Sequence, residues 1–143
     1  MATGTLLIFD EAKKALLDGT HDLDTHSFKC AILDNTTTPT VADTTPALAD
    51  YTQVGTAGTY VSGGTALTVS LTEAAGTVTY DFTNNPTWAQ DASNDVDAYW
   101  ALVYNDTNVG KEAIGFVELG GPVDMSAGAL TVTWNAGGFF TLT

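Results

Sequence analysis

Apolar residues occupy both faces of the segment from Asp97 to Asp106. In an extended strand, successive side chains point to opposite sides. One side would carry Ala98, Trp100, Leu102 and Tyr104, and the other Tyr99, Ala101 and Val103. A strand that is apolar on both sides is typical of the middle of a sheet that is covered on both faces. The sequence therefore predicts that this segment is the central strand of a β-protein.

One helical pattern precedes this strand, over residues of about 5–18. Phe9, Ala12 and Leu16 form an apolar stripe at helical spacing, and Gly19 follows as a residue that commonly ends helices. The charges along this segment suit the helix dipole only loosely. The sequence predicts one short N-terminal α-helix, stabilised by packing of its apolar stripe.

Alternation of apolar and polar residues predicts strands along the rest of the chain. It is clearest in a hairpin formed by 67–72 and 77–83, whose strands each present one apolar and one threonine-rich face. Further strands are predicted at 27–34, 87–89, 113–119, 129–134 and 137–143. Seven or eight short strands with regular turn signals predict a mainly β fold: a single antiparallel β-sandwich or jelly-roll domain, residues 1–143, with one short N-terminal helix.

The segment 35–64 lacks a regular pattern and is rich in threonine and glycine. One helical turn is expected inside it, with Thr45 as the cap and Pro46 at the first helical position. A connection of this length is usually functional or poorly ordered. Its apolar residues are candidate partner contacts, with packing over the end of the sandwich as the alternative: Tyr51, Val54, Tyr60 and Val61.

Charge narrows the classes of partner. The chain has 4 lysines and no arginine against 17 acidic residues, which gives a formal net charge of -13. Nucleic-acid binding needs clustered basic residues to neutralise phosphates, so we expect no nucleic-acid partner. The acidity instead favours a basic protein surface as partner.

The N-terminus bears on where the protein is made, and the residues around the single cysteine bear on whether its thiol is buried. The first eleven residues lack a basic region and reach Asp10 after only four strong hydrophobes, a pattern that predicts neither a signal peptide nor a membrane span. We therefore expect synthesis in the cytoplasm and no membrane partner. Cys30 lies among apolar residues and is expected to be a buried thiol, with a catalytic thiol as the minor alternative.

Two acidic segments contain residue types that can bind metal ions. His21, Asp22, Asp24 and His26 lie within six residues, but zinc ligands usually come from two separate elements, and these residue types also suit a turn. The cluster formed by Asp91, Asp95 and Asp97 lacks the spacing of an EF-hand loop. We expect solvated turns at both places and no metal; the minor alternatives are a divalent metal at the first and calcium at the second.

The motifs of common catalytic sites are missing from the sequence. It contains no phosphate-binding loop, nucleophile elbow or zinc-protease motif, and its two histidines leave few candidates for a general base. A paired-carboxylate glycosidase stays a minor alternative. Such enzymes need an aromatic cleft, whereas Trp88, Trp100 and Trp134 lie in strand patterns that predict core positions. We expect no enzyme activity, catalytic residue or cofactor.

Several short motifs, in their order along the chain, resemble a known family. They are Leu17-Asp18-Gly19, the segments 21–25 and 28–33, Tyr60-Val61-Ser62-Gly63-Gly64, the segment 99–106, Val132-Thr133-Trp134-Asn135 and 138–142. Together they resemble the small virion structural proteins of tailed bacteriophages, which include head decoration, cement and head-fibre proteins. The resemblance spans nearly the whole chain.

The resemblance implies a non-enzymatic β-sandwich within the virus particle. The first hypothesis is a decoration or cement protein that binds the major capsid protein on the outer head surface and stabilises it. The alternative is a tail or fibre adhesin module that binds a host glycan or protein. A symmetric homo-oligomer, a trimer, is expected because it would match the three-fold sites of capsid lattices and multiply weak contacts.

Overall fold

The central strand predicted from the sequence lies in the middle of a five-stranded sheet. The protein is described by a computed structural model covering residues 4–143. In chain order its elements are β1 (Leu6–Ile8), α1 (Asp10–Leu17), β2 (Phe28–Leu33), a 3₁₀ helix (Leu48–Asp50), β3 (Thr65–Leu67), β4 (Val69–Ala74), β5 (Thr77–Phe82), β6 (Thr87–Trp88), β7 (Ala98–Asn105), β8 (Ala113–Val123), β9 (Leu130–Thr131) and β10 (Phe140–Leu142). The fold is mainly β, as expected.

The strands form antiparallel sheets arranged as a β-sandwich. The larger sheet has the order β1-β8-β7-β2-β3, a second sheet has the order β10-β5-β4, and β6 pairs with β9. In β7, Leu102 lies opposite Phe116 on one side and Ala31 on the other. Leu102 is fully buried, which fits the central position predicted for this strand.

The two faces of the larger sheet are covered differently. Phe28 of β2 meets Tyr80 of the second sheet edge to face, with ring centroids 6.0 Å apart. Phe116 lies on the opposite face, where its ring centroid is 5.0 Å from that of Phe9. Phe9 in turn stacks on Tyr51, which belongs to the long connection after β2. One face is therefore covered by a sheet and the other partly by a connection without strands.

The N-terminal helix is shorter than predicted. The sequence indicated a helix over about 5–18, but Leu6–Ile8 form β1 and the helix begins at Asp10. Leu6 and Ile8 pair with Val117 and Gly115 of β8, and Phe9 continues in an extended conformation. Backbone pairing with a long neighbouring strand satisfies these amide groups, so tertiary contacts override the local helical pattern.

Three of the later strands have different limits from those predicted. The segment 113–119 continues to Val123 because Gly120 and Gly121, at φ 86° and 110°, accommodate a shift in register between the pairs Ala98–Val123 and Trp100–Glu118. The segments 129–134 and 137–143 are reduced to Leu130–Thr131 and Phe140–Leu142.

The long connection 35–64 is hydrogen-bonded to the sheet. Gln53 forms a bridge with Leu33, and Ala47 forms one with Glu112. The helical turn begins later than expected: the Ala47 N–H donates to the Asp50 carboxylate (2.9 Å), so Thr45 does not cap it. Both helices within residues 4–143 are too short to cross a bilayer.

Candidate functional site

The four predicted contact residues do not form one exposed surface. Tyr51, Val54 and Tyr60 are buried, with exposed fractions of 7%, 2% and 1%, whereas Val61 is 69% exposed. The Tyr60 hydroxyl accepts the Ile32 N–H (3.2 Å) and donates to Oε1 of Gln53 (2.7 Å), a residue of the same long connection. Three of the four residues thus pack over the sandwich, which was the alternative, and in this conformation Val61 is the one whose side chain can reach a partner.

A different set of apolar side chains lies exposed around one groove. Leu17 at the end of α1 is 91% exposed, Leu71 of β4 is 42% exposed and Leu142 of β10 is 68% exposed. All three line a groove of about 590 Å³ between the helix and the second sheet. We call it the leucine groove. Exposed apolar side chains that cluster in this way commonly mark a binding surface.

The floor of the leucine groove is formed by the face of the second sheet that carries Phe140, Tyr80 and Leu71. Phe140, Tyr80 and Leu71 lie side by side across its three strands and so share a face. Tyr80 packs against Phe28 at one end of this face, while Val78 and Leu142 lie at the end that faces α1 and the turn after it. The second sheet therefore buries only part of its inner face against the core.

Tyr80, in the middle strand of this floor, carries a buried hydroxyl. Its side chain is 1% exposed, and the hydroxyl has no hydrogen-bond partner among residues 4–143. Burial raises the pKa of this phenol, so the group stays protonated. Its ring lies 5.2 Å from the ring of Phe82 and 5.2 Å from that of Phe140. The aromatic cluster holds the strands at the base of the groove together.

One wall of the groove is fixed by a buried amide. Asn105, at the end of β7, accepts the backbone N–H groups of Thr107 (3.0 Å) and Asn108 (3.4 Å) through its side-chain oxygen. Its Nδ2 therefore faces the Nδ1 atoms of His21 (3.2 Å) and His26 (2.8 Å). Since Nδ2 can only donate, both Nδ1 atoms act as acceptors in this arrangement.

The electrostatic surroundings of His21 follow from its burial. The residue is 4% exposed, and burial lowers the pKa of its imidazole. Glu112 and Asp18 act in the opposite direction, while His26 lowers it further. The Oε2 atom of Glu112 is buried without a hydrogen-bond partner in the part of the chain that the structure describes. His21 is thus a neutral structural residue that joins the turn 20–27 to the central strand.

The acidic segments form hydrogen-bonded turns. Asp22 accepts the backbone N–H groups of Asp24 and Thr25, and these bonds with the Thr25 hydroxyl lower its pKa. Asp95 accepts the N–H of Gly55 (2.9 Å), which lowers its pKa and ties the segment 91–97 to the long connection. Within residues 4–143, no three His, Cys, Asp or Glu side chains are grouped as metal ligands would be.

The lysines leave the surface acidic. Each of the four forms an ion pair with a carboxylate: Lys13 with Asp10 (2.7 Å), Lys14 with Glu11 (3.8 Å), Lys29 with Asp106 (3.0 Å) and Lys111 with Asp106 (2.8 Å). Three of the 17 acidic residues therefore take up all the lysines, and the other 14 have no lysine partner among the described residues, 4–143. The resulting field attracts basic partners.

Sequence reasoning did not find the leucine groove. Leu71 was interpreted as part of the apolar face of a hairpin, and Leu142 as part of a terminal strand. The signal that was available is Leu17, which lies outside the apolar stripe of the helix directly before Asp18 and Gly19. Asn105 gave no signal, because only the fold brings it to His21 and His26.

Comparisons of the chain with protein-family models, with curated proteins and with solved structures gave no match.

Proposed function

We propose that the protein is a non-enzymatic structural protein of a tailed-bacteriophage virion, which decorates the outer surface of the head and stabilises it by binding the major capsid protein. The phage assignment rests on the family resemblance of the sequence. The observation that supports a binding role is the leucine groove, an apolar surface on an otherwise acidic molecule.

The charge distribution supports a protein partner with basic residues. The lysines are already paired with carboxylates of the chain, so they repel a basic partner surface only weakly. Such attraction mainly speeds association and weakens as salt screens it. Apolar contacts at the leucine groove would then slow dissociation.

The proposal includes assembly as a trimer. A net charge of -13 opposes association of identical subunits at low salt, so the contacts between subunits should be apolar or strand-mediated and should tighten as salt rises. A trimer would engage several capsid subunits at once and gain from multivalency. Light scattering at two salt concentrations tests this part, and a strict monomer at both would overturn it.

Co-sedimentation with undecorated capsids tests the proposed function. The protein should pellet with capsids and raise the temperature at which they release their contents. Expanded capsids that already carry a decoration protein are the control, and they should bind little. A protein that stays in the supernatant with capsids but binds host cells would instead be an adhesin module.

A further inference from the structure

We infer that the leucine groove and the outer edge of β10 bind an extended segment of a partner protein in which apolar and basic residues alternate. This inference rests on the proposed function and deepens it, because it names the chemistry of the partner. Three observations carry it: a strand edge that is unpaired within residues 4–143, the direction of the side chains at this edge, and an acidic rim.

The first observation is the edge of β10. Within residues 4–143, Phe140–Leu142 pair with β5 on one side and with no strand on the other. Thr141 and Leu142 at this edge are exposed. An unpaired strand edge presents backbone donors and acceptors that a second chain can complete. Addition of a strand to such an edge is a common way to bind an extended peptide.

The second observation is the direction in which an added strand would place its side chains. Phe140 and Leu142 point to the groove side of the second sheet. A strand added next to β10 would continue this sheet, and every second side chain would lie over the groove. There it would meet Leu142 on the sheet and Leu17 on the helix, which are 68% and 91% exposed. The inward residues of the partner are therefore apolar.

The third observation is the charge at the rim. Asp22 and Asp24 line the groove, and hydrogen bonds from Thr25 and Asp24 keep Asp22 ionised by lowering its pKa. Lys13 also lines the groove, but its ammonium is 2.7 Å from Asp10 and is paired. The rim therefore has an excess of negative charge. Lysine or arginine between the apolar residues of the partner complements it.

A peptide in which leucine and lysine alternate is a direct probe of this site. Fluorescence anisotropy should show that it binds the full chain. A peptide of the same composition, with its leucines and lysines in separate blocks, should bind at least about tenfold more weakly, because its apolar residues do not share one face of a strand. Methylation of alternate backbone nitrogens in the first peptide should have a similar effect, since it removes the donors that pair with β10.

Matched variants place the binding site on the protein. Leu142→Lys and Leu17→Lys put a positive charge into the groove at exposed positions that the added strand would meet, so folding should be kept. Each should weaken binding of the alternating peptide at least about tenfold. Val109→Lys makes the same charge change at a fully exposed residue away from the groove and should leave binding nearly unchanged. Equal binding by all three variants, or by both peptides, would overturn the inference.

The same variants separate this inference from the proposed function. If Leu142→Lys loses the peptide but the wild-type protein does not pellet with capsids, the groove binds such a segment and the proposed function is wrong. If Leu142→Lys pellets with capsids as well as the wild-type protein does, decoration stands but the groove is not its contact.

Discussion

Protonation of His21 should destabilise the folded protein as the pH falls below about 6.5, the ordinary pKa of histidine in an unfolded chain. In the folded protein its Nδ1 atom, 3.2 Å from Asn105 Nδ2, is an acceptor. A protonated Nδ1 has no lone pair to accept a hydrogen bond, so two donors, Nδ1–H of His21 and Nδ2–H of Asn105, would face each other. The buried amide of Asn105 would then lose a partner, and the turn 20–27 would lose its tie to the central strand.

The direction and size of the effect follow from linkage. Burial lowers the pKa of His21 in the folded state, so the unfolded chain binds its proton more readily. The stabilisation is therefore complete above about pH 6.5 and is lost as the pH falls towards the lowered pKa. The slope approaches about 1.4 kcal/mol per pH unit for one proton. Between about pH 6.5 and pH 5 the loss from this one group is at most about 2 kcal/mol.

Urea unfolding followed by tryptophan fluorescence measures this loss directly. Most carboxylates titrate below about pH 5, so the interval above that value isolates histidine. His21→Gln is the test variant: its amide oxygen can accept from Asn105 but does not titrate, and it should remove most of the slope. His26→Gln is the matched control and should keep the part due to His21. The reasoning is refuted if the stability of the wild-type protein is flat over this interval, or if His21→Gln keeps the full slope.

Three further predictions concern the core and its strained positions. Leu102→Ala, at a fully buried site in β7, should lower the free energy of unfolding by about 2–5 kcal/mol. Leu17→Ala, at a site 91% exposed, should change it by less than about 0.5 kcal/mol. Urea titration of both variants measures the difference. Gly64→Ala should lower the free energy of unfolding by more than about 2 kcal/mol, because φ is +73° and a Cβ would lie 1.9 Å from a backbone oxygen. Gly76→Ala, at φ +82° in open space, should lower it by about 1–2 kcal/mol. A melting temperature for Gly76→Ala as low as that for Gly64→Ala would contradict this. Cys30 should react with a thiol reagent only on unfolding, because it is fully buried and burial raises the pKa of its thiol; rapid labelling of the native protein would show otherwise.

The parts of the fold that depend on local pattern were predicted well. The segment 97–106 has apolar residues on both faces, and such a pattern has few solutions other than a strand in the middle of a covered sheet. The burial of Cys30 also followed from its apolar neighbours. The hairpin of β4 and β5 was confirmed, although the residue Thr68 separates its first strand from β3.

The parts that depend on distant partners were not predictable in the same way. Residues 6–8 and the helix after them have one continuous apolar pattern, and only β8 decides that the first three residues pair as a strand. The segment 35–64 carried apolar residues without periodicity, so its contact with the sheet face was not evident. Trp100 was expected in the core, but it is half-buried and donates its Nε1–H to Asn35 (3.2 Å).

The candidate site was the least predictable feature. Leu17, Leu71 and Leu142 are separated by more than fifty residues at each step, so no local pattern in the sequence links them. Their exposure depends on the groove between α1 and the second sheet. A pattern along the chain reports which side of a strand is apolar, but not whether another element covers it.

The pairing of β1 with β8 has a consequence for the synthesis of the protein. Leu6 and its partner Val117 are about 110 residues apart in the chain. At the usual range of translation rates, about 5–20 residues per second, β1 is made on the order of 5 to 20 s before the strand that pairs with it. During this time the Leu-Leu-Ile segment has no sheet to join. The nascent chain therefore presents an apolar segment to the ribosome surface and to chaperones, and the larger sheet is completed only after β8 has been made.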